Sequence, residues 1–359
     1  MTRHTPDRDD PGIRYPWPDP PAEGAATQIA PGVLWMRLPL PMVLDHVNVY
    51  ALEDADGWTI VDTGIQSRRS TAIWEALLAG PLEGRPVVRV ILTHHHPDHV
   101  GMAGWLMERF DAELITTRTA WLMARMLILD VEERPTPQAL AYWRTAGMDP
   151  QIYAERKEAR PYNFADSCAP LPVGYTRVQE GDSIEAAGRI WDVRVGNGHA
   201  PEHLTLWSRD CNLVIAGDQI LPSISPNLGV YPTEPAADPV ADWLEACGQL
   251  AGHARPDHLV LGGHKLPFTG LPLRMRQLIE NHHGALKRLE AHLDVPRTAA
   301  ECFAPLFKRR IDAGTYGLAL VEAVAHLNHL HKLGCVTRRH RDDGAWLWQR
   351  QDASMGDSR

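Results

Sequence analysis

The stretch from Val87 to Gly101, which reads VVRVILTHHHPDHVG, constrains the fold of this 359-residue chain more than any other. Its first part is apolar and β-branched, which fits a strand buried on both faces of a sheet. Histidine then occupies four of the six positions from His94 to His99, together with Asp98. Imidazoles and a carboxylate at the carboxyl end of a strand stand where α/β sheets place their ligands. The stretch therefore predicts an α/β fold with a metal site at this sheet edge.

The spacing within the stretch indicates two metal ions. His94 and His96 are two positions apart, so their side chains project the same way from an extended backbone. Pro97 then forces a turn before Asp98 and His99. Two pairs of side chains can therefore face two ions, whereas the intervening histidine falls on the opposite side and is not expected to bind metal. The alternative is a solvated histidine-rich loop, which the preceding buried strand disfavours.

The motif His94-x-His96-x-Asp98-His99 resembles the signature of the metallo-β-lactamase fold. This resemblance implies an αββα sandwich and three further ligands downstream, in the order histidine, aspartate, histidine. Candidates for them occur in VGNGHAPEH, LVIAGDQI and LVLGGHK, each at or just beyond the end of an apolar run. Carried over by residue, the resemblance assigns one metal to His94, His96 and His199 and the other to Asp98, His99 and His264, with Asp218 as the bridge.

The ligand types determine the expected chemistry. Imidazole and carboxylate suit Zn²⁺, with Fe or Mn as alternatives. Two ions about 3.5–4 Å apart can share a hydroxide whose pKa falls to about 7. We therefore predict a dinuclear hydrolase in which this bridging hydroxide attacks a carbonyl and Asp98 or Asp218 carries the proton to the leaving group. Tyr231 or Asn227 either polarises the substrate carbonyl or only makes turn hydrogen bonds.

An aspartate at the bridging position resembles glyoxalase II, lactonases and related thioesterases, whereas zinc β-lactamases lack a carboxylate there. The resemblance thus implies a small-molecule acyl substrate with a thioester, ester or lactone carbonyl. The glutathione-binding pattern of glyoxalase II is not recognisable in this chain. The alternatives are a phosphodiesterase or nuclease on the same metal site, a mononuclear iron persulfide dioxygenase, and a non-enzymatic winged-helix protein that binds nucleic acid.

The composition along the chain suggests three parts. Residues 1–28 are rich in proline and charge and predict a flexible arm. Residues 29–270 carry the motifs and form the predicted catalytic domain, in which Asp62 either supports the metal site from behind or is a turn residue. Within it, residues 119–173 have helical periodicity with many Trp and Met side chains. This insertion is either a lid over an apolar pocket or an ordinary helical excursion.

Residues 271–359 form the third part. Their three amphipathic helices, followed by a hairpin around Asp343 and Gly344, resemble a winged-helix module of α+β type. The formal net charge of -9 disfavours binding of this module to nucleic acid. We expect the module to buttress the pocket or form a homodimer, with His282 and His283 on a solvated or interface face. The basic residues that argue for nucleic acid are Arg338, Arg339, His340 and Arg341.

The cysteines and apolar runs indicate the compartment. The five cysteines are scattered, odd in number and without a C-x-x-C pair, so neither a disulfide framework nor a thiolate zinc site is expected. No apolar run reaches membrane-spanning length, and the first ten residues, MTRHTPDRDD, lack the apolar segment of a secretory signal. We expect a cytoplasmic protein that does not associate with membranes.

Overall fold

The computed structural model describes residues 12–307 and 310–351. They form two compact units, each discontinuous in sequence. The first unit contains the residues up to 131, then 162–226 and 247–276, and the second contains 132–161, 227–246 and the residues from 277 onward. The boundaries predicted at residues 28 and 270 stay predictions, because a compact unit is defined by contacts and not by chain order.

Two mixed sheets make up the first unit. The larger sheet has seven strands in chain order: β1 (Thr27–Ala30), β2 (Val33–Pro39), β3 (His46–Glu53), β4 (Trp58–Val61), β5 (Val87–Ile91), β6 (Glu113–Thr116) and β7 (Thr176–Arg177). The smaller sheet runs in the order β12 (Leu259–Gly262), β11 (Leu213–Gly217), β10 (His203–Ser208), β9 (Arg189–Gly196) and β8 (Ser183–Ala186). In both sheets, antiparallel strands come first along the chain and parallel pairing follows, from β4 in the larger sheet and between β11 and β12 in the smaller.

The helices of the first unit are α1 (Arg68–Ala79), α2 (Pro97–Val100), α3 (Ala103–Phe110) and α4 (Arg118–Leu129). Those of the second are α5 (Pro137–Thr145), α6 (Pro150–Glu158), α9 (Phe303–Leu306) and α10 (Tyr316–Lys332), followed by the hairpin of β13 (Val336–His340) and β14 (Trp346–Arg350). Two helices have residues in both units, α7 (Pro239–Ala251) and α8 (Leu271–His292). None of the described helices combines the length and the apolar content that crossing a membrane requires.

Two apolar cores hold the first unit together. One lies between the sheets, where Trp35 and Tyr50 of the larger sheet and Trp191 of the smaller are almost fully buried. The other lies on the outer face of the larger sheet, where Trp74 of α1 and Leu106 of α3 pack. Burying each such side chain contributes about 1.5–3 kcal/mol, so the strand ends that carry the polar residues are firmly held.

The local signals in the sequence explain several element boundaries. Helix α1 begins where the Ser67 side chain accepts a hydrogen bond from the Ser70 amide, and it ends at Gly80. The hairpin expected around Asp343 and Gly344 is confirmed, because β13 and β14 pair across that turn and Gly344 has a φ of 90°. The α/β sandwich is confirmed, whereas the winged-helix character of the last part stays a prediction.

The ends of the chain and one helix differ from the simple expectation. Residues 1–11 of the predicted arm and the last eight residues lie outside the described residues. Further along the predicted arm, the backbone of Arg14 pairs with Thr269, and Trp17 packs against the core between the sheets. Placing His282 on a solvated or interface face was wrong, since its side chain is buried within the chain, whereas the adjacent His283 is exposed.

The predicted insertion over residues 119–173 is helical, as its periodicity indicated, because α4, α5 and α6 lie in it.

In the hairpin of β13 and β14, the guanidinium of Arg338 lies over Trp346 and Trp348, at 4.5 and 5.1 Å from the ring centroids, and Arg341 pairs with Asp343 at 2.8 Å. His340 also stacks on Trp346, so three of the four basic residues considered for nucleic acid have partners within the hairpin.

Candidate metal centre

The residues predicted to bind metal all lie just beyond the carboxyl ends of strands. The loop from His94 to His99 follows β5, His199 follows β9, Asp218 follows β11 and His264 follows β12. This edge of a mixed sheet is where the backbone turns away and side chains converge. The larger and the smaller sheet therefore each contribute part of one site, as the order of the motifs predicted.

The structure brings together the three histidines assigned to the first metal. The ring nitrogens of His94, His96 and His199 lie within 4.8 Å of one another, and His94 Nε2 is 3.0 Å from His96 Nδ1. Three ring nitrogens this close together could bind one cation. His95 belongs to none of the donor groups found among the described residues, and its ring lies parallel to Phe164 at 6.5 Å.

The second group contains Asp98, His99 and His264, which also lie within 4.8 Å of one another. Asp218 contacts both groups. Its Oδ2 is 3.2 Å from His264 Nε2 and 3.5 Å from His199 Nε2, and its Oδ1 is 3.5 Å from His99 Nε2. The position between the two groups is the one expected for a bridging carboxylate.

A row of hydrogen bonds behind these side chains fixes their orientation. Asp62, which has a φ of 58° directly after β4, accepts from His99 Nδ1 at 2.8 Å and thereby aims His99 Nε2 into the site. Its carboxylate also accepts hydrogen bonds from the amide and the hydroxyl of Thr93, at 2.9 and 2.8 Å. The Thr93 hydroxyl lies 3.0 Å from His94 Nδ1. Of the two interpretations of Asp62, the supporting one agrees with these contacts.

Two positioning histidines were not found from the sequence. The backbone oxygen of His46 accepts from His264 Nδ1 at 2.7 Å, across 218 residues of chain, and its ring accepts from the Lys265 amide. His203 stacks on His94 and accepts a hydrogen bond from the Asp218 amide. His46 has no sequence signal that separates it from an ordinary strand residue, whereas His203 stands only four positions after His199 in GHAPEH.

Glycines allow the close approach of these groups. A Cβ on Gly263 would lie 2.3 Å from Asp218 Oδ1 and 2.7 Å from His99 Cε1, closer than real Cβ atoms come. Gly263 is the second glycine of the GGH segment that precedes His264. The glycine is therefore required by the packing of the site and would have been a signal for it.

The comparisons with known proteins agree with this geometry. Residues 42–270 match the family model of the metallo-beta-lactamase superfamily, which is more than half of the chain. The chain belongs to the metallo-β-lactamase superfamily. Residues 286–351 match a second model, the metallo-beta-lactamase-like C-terminal domain. The family predicted from the residues is thereby confirmed.

Three known proteins illustrate the similarity. A beta-lactamase domain protein from Burkholderia ambifaria is 36% identical, with a TM-score of 0.86 over 94% of this chain and 98% of its own. The metallo-beta-lactamase family protein TTHA1429 from Thermus thermophilus is 27% identical, with a TM-score of 0.73 over 90% of this chain and 100% of its own. The probable metallo-hydrolase YqjP from Bacillus subtilis (strain 168) is 23% identical over 311 residues, 85% of this chain and 94% of its own.

The charges of this buried site have to be compensated. Burial, together with His99 and other neighbouring imidazoles, holds the pKa of His94 well below its ordinary value. Burial would also lower the pKa of His99, but the carboxylates of Asp98, Asp218 and Asp62 outweigh it and raise the pKa well above the ordinary value. The same balance, led by Asp218, raises the pKa of His264 to about 10.

The residues present fit the divalent metal ions that the superfamily implies. Their atoms are imidazole nitrogen and carboxylate oxygen, the donors that such ions prefer. Among the described residues, His99 Nε2 and Asp218 Oδ1 are buried and make no hydrogen bond, although they lie 3.5 Å apart. Buried polar atoms without a partner cost free energy unless something satisfies them. A cation between the two groups would do so and would displace the protons that His99 and His264 otherwise hold.

The residues proposed to polarise a carbonyl lie in the second unit. Tyr231 is 44% exposed, and its catalytic role stays a prediction. Asn227 donates from its amide nitrogen to the Leu318 oxygen at 3.1 Å and to Glu322 at 2.7 Å. Both partners lie on α10, so the amide group of Asn227 holds its loop on that helix.

Proposed function

We propose that this chain is a dinuclear metal-dependent hydrolase that cleaves the carbonyl of a thioester, ester or lactone. The observation that supports it most is the position of Asp218, whose two oxygens contact His99, His199 and His264 from both donor groups. Two groups joined by a carboxylate suit two cations rather than one. The imidazole and carboxylate donors favour Zn²⁺ over softer ions.

When bound, two such cations supply a hydroxide near neutral pH and an electrophile for the carbonyl oxygen. The residues of this chain hold that arrangement in place. The imidazoles of His94, His96 and His199 converge on one point, and the contact between Asp62 and His99 keeps the second group aligned. The strand ends that carry them are anchored in two apolar cores, so little reorganisation is needed during the reaction.

Asp98 is the better candidate for proton transfer. Its side chain is 20% exposed, whereas that of Asp218 is 9% exposed. With the cations bound, a hydroxide held between them would add to the carbonyl carbon, and the C–S or C–O bond would break with its electron pair on the leaving atom. An Asp98 oxygen would accept the proton of that hydroxide and pass it to the leaving thiolate or alkoxide. Products are a carboxylate and a thiol or alcohol.

A small-molecule substrate with an apolar acyl part is supported by α4. Glu202, three residues after His199, accepts from the Thr119 amide with Oε2 at 2.6 Å, so α4 begins on the loop that carries a metal-binding candidate. Ala120, Ala124 and Ile128 of α4 are buried, whereas Leu122 and Met126 are 51% and 43% exposed. Exposed apolar side chains on a helix that starts at the site suit an acyl chain. The proposal therefore includes a lid role for α4 over the metal centre.

The five cysteines are free thiols. Free thiols are the rule in a reducing compartment, so we include a cytoplasmic location in the proposal. A homodimer through the second unit also belongs to it, and size measurements in solution test this directly.

The experiment that tests the proposal combines metal analysis with a substrate panel. Protein purified without added metal should contain close to two transition-metal ions per chain, measured by plasma mass spectrometry. A panel of acyl thioesters, carboxylic esters, lactones and phosphodiesters is then assayed with and without a chelator. Reversible loss of thioester, ester or lactone hydrolysis on chelation is the expected result. One iron per chain at full activity, or turnover of phosphodiesters alone, would contradict the proposal.

A further inference from the structure

His203 is a buried imidazole that the proposed reaction does not use. It is the first residue of β10, faces Gly196 across the sheet and has no exposed surface. Its Nε2 accepts a hydrogen bond from the Asp218 amide at 3.0 Å. Its ring stacks on His94 with a centroid distance of 4.5 Å and an interplanar angle of 23°. One side chain thus contacts the bridging candidate and a member of the first donor group.

The hydrogen bond excludes His203 as a metal-binding residue. Because Nε2 accepts from an N–H group, its lone pair points at the Asp218 backbone and the ring proton of the neutral form is on Nδ1. The donor groups found among the described residues do not include His203. Its contacts to the site run through the Asp218 backbone and the face of the His94 ring.

The backbone at Asp218 needs such a partner. The pairing of β11 with β12 shifts register between Ile215 and Gly217, and Gly217 has a φ of 48°. The chain turns there, so the next amide leaves the regular ladder of the sheet and finds an acceptor in His203 instead. A Cβ on Gly217 would lie 2.6 Å from His203 Cε1, so the glycine is what lets the ring come this close.

We propose that His203 is a positioning residue that sets the direction of the Asp218 carboxylate toward both donor groups. This inference rests on the proposed dinuclear function, because it gives Asp218 the bridging role. The Cβ atom of Asp218 is only two bonds from the backbone nitrogen, so it moves when the backbone at that position rotates. Fixing the amide therefore fixes where Oδ1 and Oδ2 meet His99, His199 and His264.

The alternative is an ordinary core histidine whose hydrogen bond only satisfies a buried amide. The chain offers a matched control for it in the same unit. His258 is also buried, and its Nδ1 accepts from the Arg255 amide at 3.1 Å. Its ring packs edge-on against Trp207 at 5.3 Å, away from any donor group found among the described residues. In both histidines one ring nitrogen accepts from a backbone amide, so the two differ in which amide that bond holds.

The first test measures metal binding in three variants of the full chain. His203→Phe fills the space without an acceptor, His203→Gln restores an acceptor atom, and His258→Phe is the control. We expect His203→Phe to bind the second Zn²⁺ roughly 10- to 100-fold more weakly, as for other residues behind a metal ligand. His203→Gln should recover most of that affinity, and His258→Phe should bind both ions as the unmodified chain does. Equal Zn²⁺ affinities in folded His203→Phe and the unmodified chain would overturn the proposal.

The second test needs no variant and no metal, which keeps the proposal open to refutation if His203→Phe does not fold. In metal-free ¹⁵N-labelled protein, the Asp218 amide should be protected from hydrogen exchange and the His203 ring should carry its proton on Nδ1. A rapidly exchanging Asp218 amide or a proton on Nε2 would overturn the positioning role. Unmodified protein that binds two ions but hydrolyses no member of the panel would instead refute the proposed function and leave the role of His203 intact.

Discussion

Two clusters of buried histidines, one in each unit, show what distinguishes a metal centre from a polar core. The first is the candidate metal centre described above. The second, in the other unit, is formed by His282 of α8 and by His326 and His329 of α10, all buried. His282 Nδ1 lies 3.4 Å from His326 Nε2, and their rings stack at 5.6 Å. Abundance of buried imidazole is thus common to both clusters.

The clusters differ in the direction of their nitrogens. In the second, His326 Nδ1 points at the Glu322 backbone oxygen at 2.9 Å and His329 Nδ1 points at Asp238 at 3.0 Å. These two Nδ1 atoms are therefore aimed at separate partners, and none of the donor groups found among the described residues includes His282, His326 or His329. In the first cluster, donor nitrogens and carboxylate oxygens converge on common points.

The charges differ in the same way. Burial is the main cause that lowers the pKa of His282 to about 3 and that of His326 to about 4, so both are neutral at pH 7. In the first cluster, three carboxylates raise the pKa of His99. In turn, His99 and His264 hold the pKa values of Asp98 and Asp218 below the ordinary value despite burial. Alternating charge in a buried site is the property that a cation can use, whereas His282 and His326 of the second cluster are neutral.

The largest effect is expected when a carboxylate of each cluster is replaced by an amide. Asp218→Asn keeps the shape of the side chain but removes the charge between two cations, so kcat should fall by orders of magnitude and metal content should drop. The matched change in the second cluster is Asp238→Asn, which removes the partner of His329. It should leave kcat and metal content nearly unchanged. The measurement is kcat beside metal per chain, and near-normal values in Asp218→Asn would remove that residue from the site.

The next effect concerns orientation within the first cluster. Asp62→Asn weakens the hold on His99 Nδ1, so Zn²⁺ affinity should fall by about 10- to 100-fold. Asp45→Asn is the control, because Asp45 also pairs with a histidine, His46, but its side chain is 79% exposed. Because the Asp45 side chain is largely exposed, solvent screens its charge, so the control should bind Zn²⁺ nearly normally. Competition with a metal indicator measures both, and equal affinities would show that Asp62 does not orient His99.

A smaller effect tests the neutral state of the second cluster. The pKa of His282 is about 3 when folded and about 6.5 when unfolded, so between these pH values the unfolded chain binds more protons. The stability that the buried neutral ring contributes is therefore lost as pH falls below about 6.5. At pH 5 this loss amounts to about 2 kcal/mol for one such group.

Replacing His282 by glutamine should remove this part of the pH dependence. Urea unfolding from pH 7 to pH 5 should then show a shallower fall in the free energy of unfolding than for the unmodified chain. His283→Gln is the control, since that neighbour is exposed and should leave the slope unchanged. Identical slopes for the two variants would mean that His282 is accessible to protons when folded.

The smallest effect concerns access to the first cluster. If α4 contacts the acyl part of a substrate, Met126→Ser should raise KM for long-chain acyl substrates by roughly tenfold or less, and less for short ones. Leu333→Ser, in the second unit, is the control because that side chain is also exposed. Trp121 is unsuitable as a test, since its ring stacks on Tyr175 at 4.7 Å and belongs to the packing of the unit. An equal rise for all chain lengths would contradict the lid.

The amino-acid sequence by itself determined the parts of the site that depend on local order. A buried strand followed at once by HHHPDH fixes the end of β5 and the turn at Pro97, because both follow from side-chain and backbone preferences of neighbouring residues. The resemblance to the metallo-β-lactamase fold predicted His199, Asp218 and His264 in this order at the ends of later strands. Caps and turns were readable for the same local reason, as α1 and the last hairpin show.

The tertiary structure alone decided which polar groups support the site and which are buried elsewhere. His264 is oriented by the backbone of His46, and Asp218 by His203 on another strand, contacts that depend on how β3, β10 and β12 pack. The periodicity of α8 could not show that His282 stacks on His326, because the partner lies on another helix. Hydrogen bonds and metal sites require distances within a few tenths of an ångström and angles within some tens of degrees. Local sequence preferences do not determine how side chains on distant segments are oriented toward each other. The packing of those segments determines it.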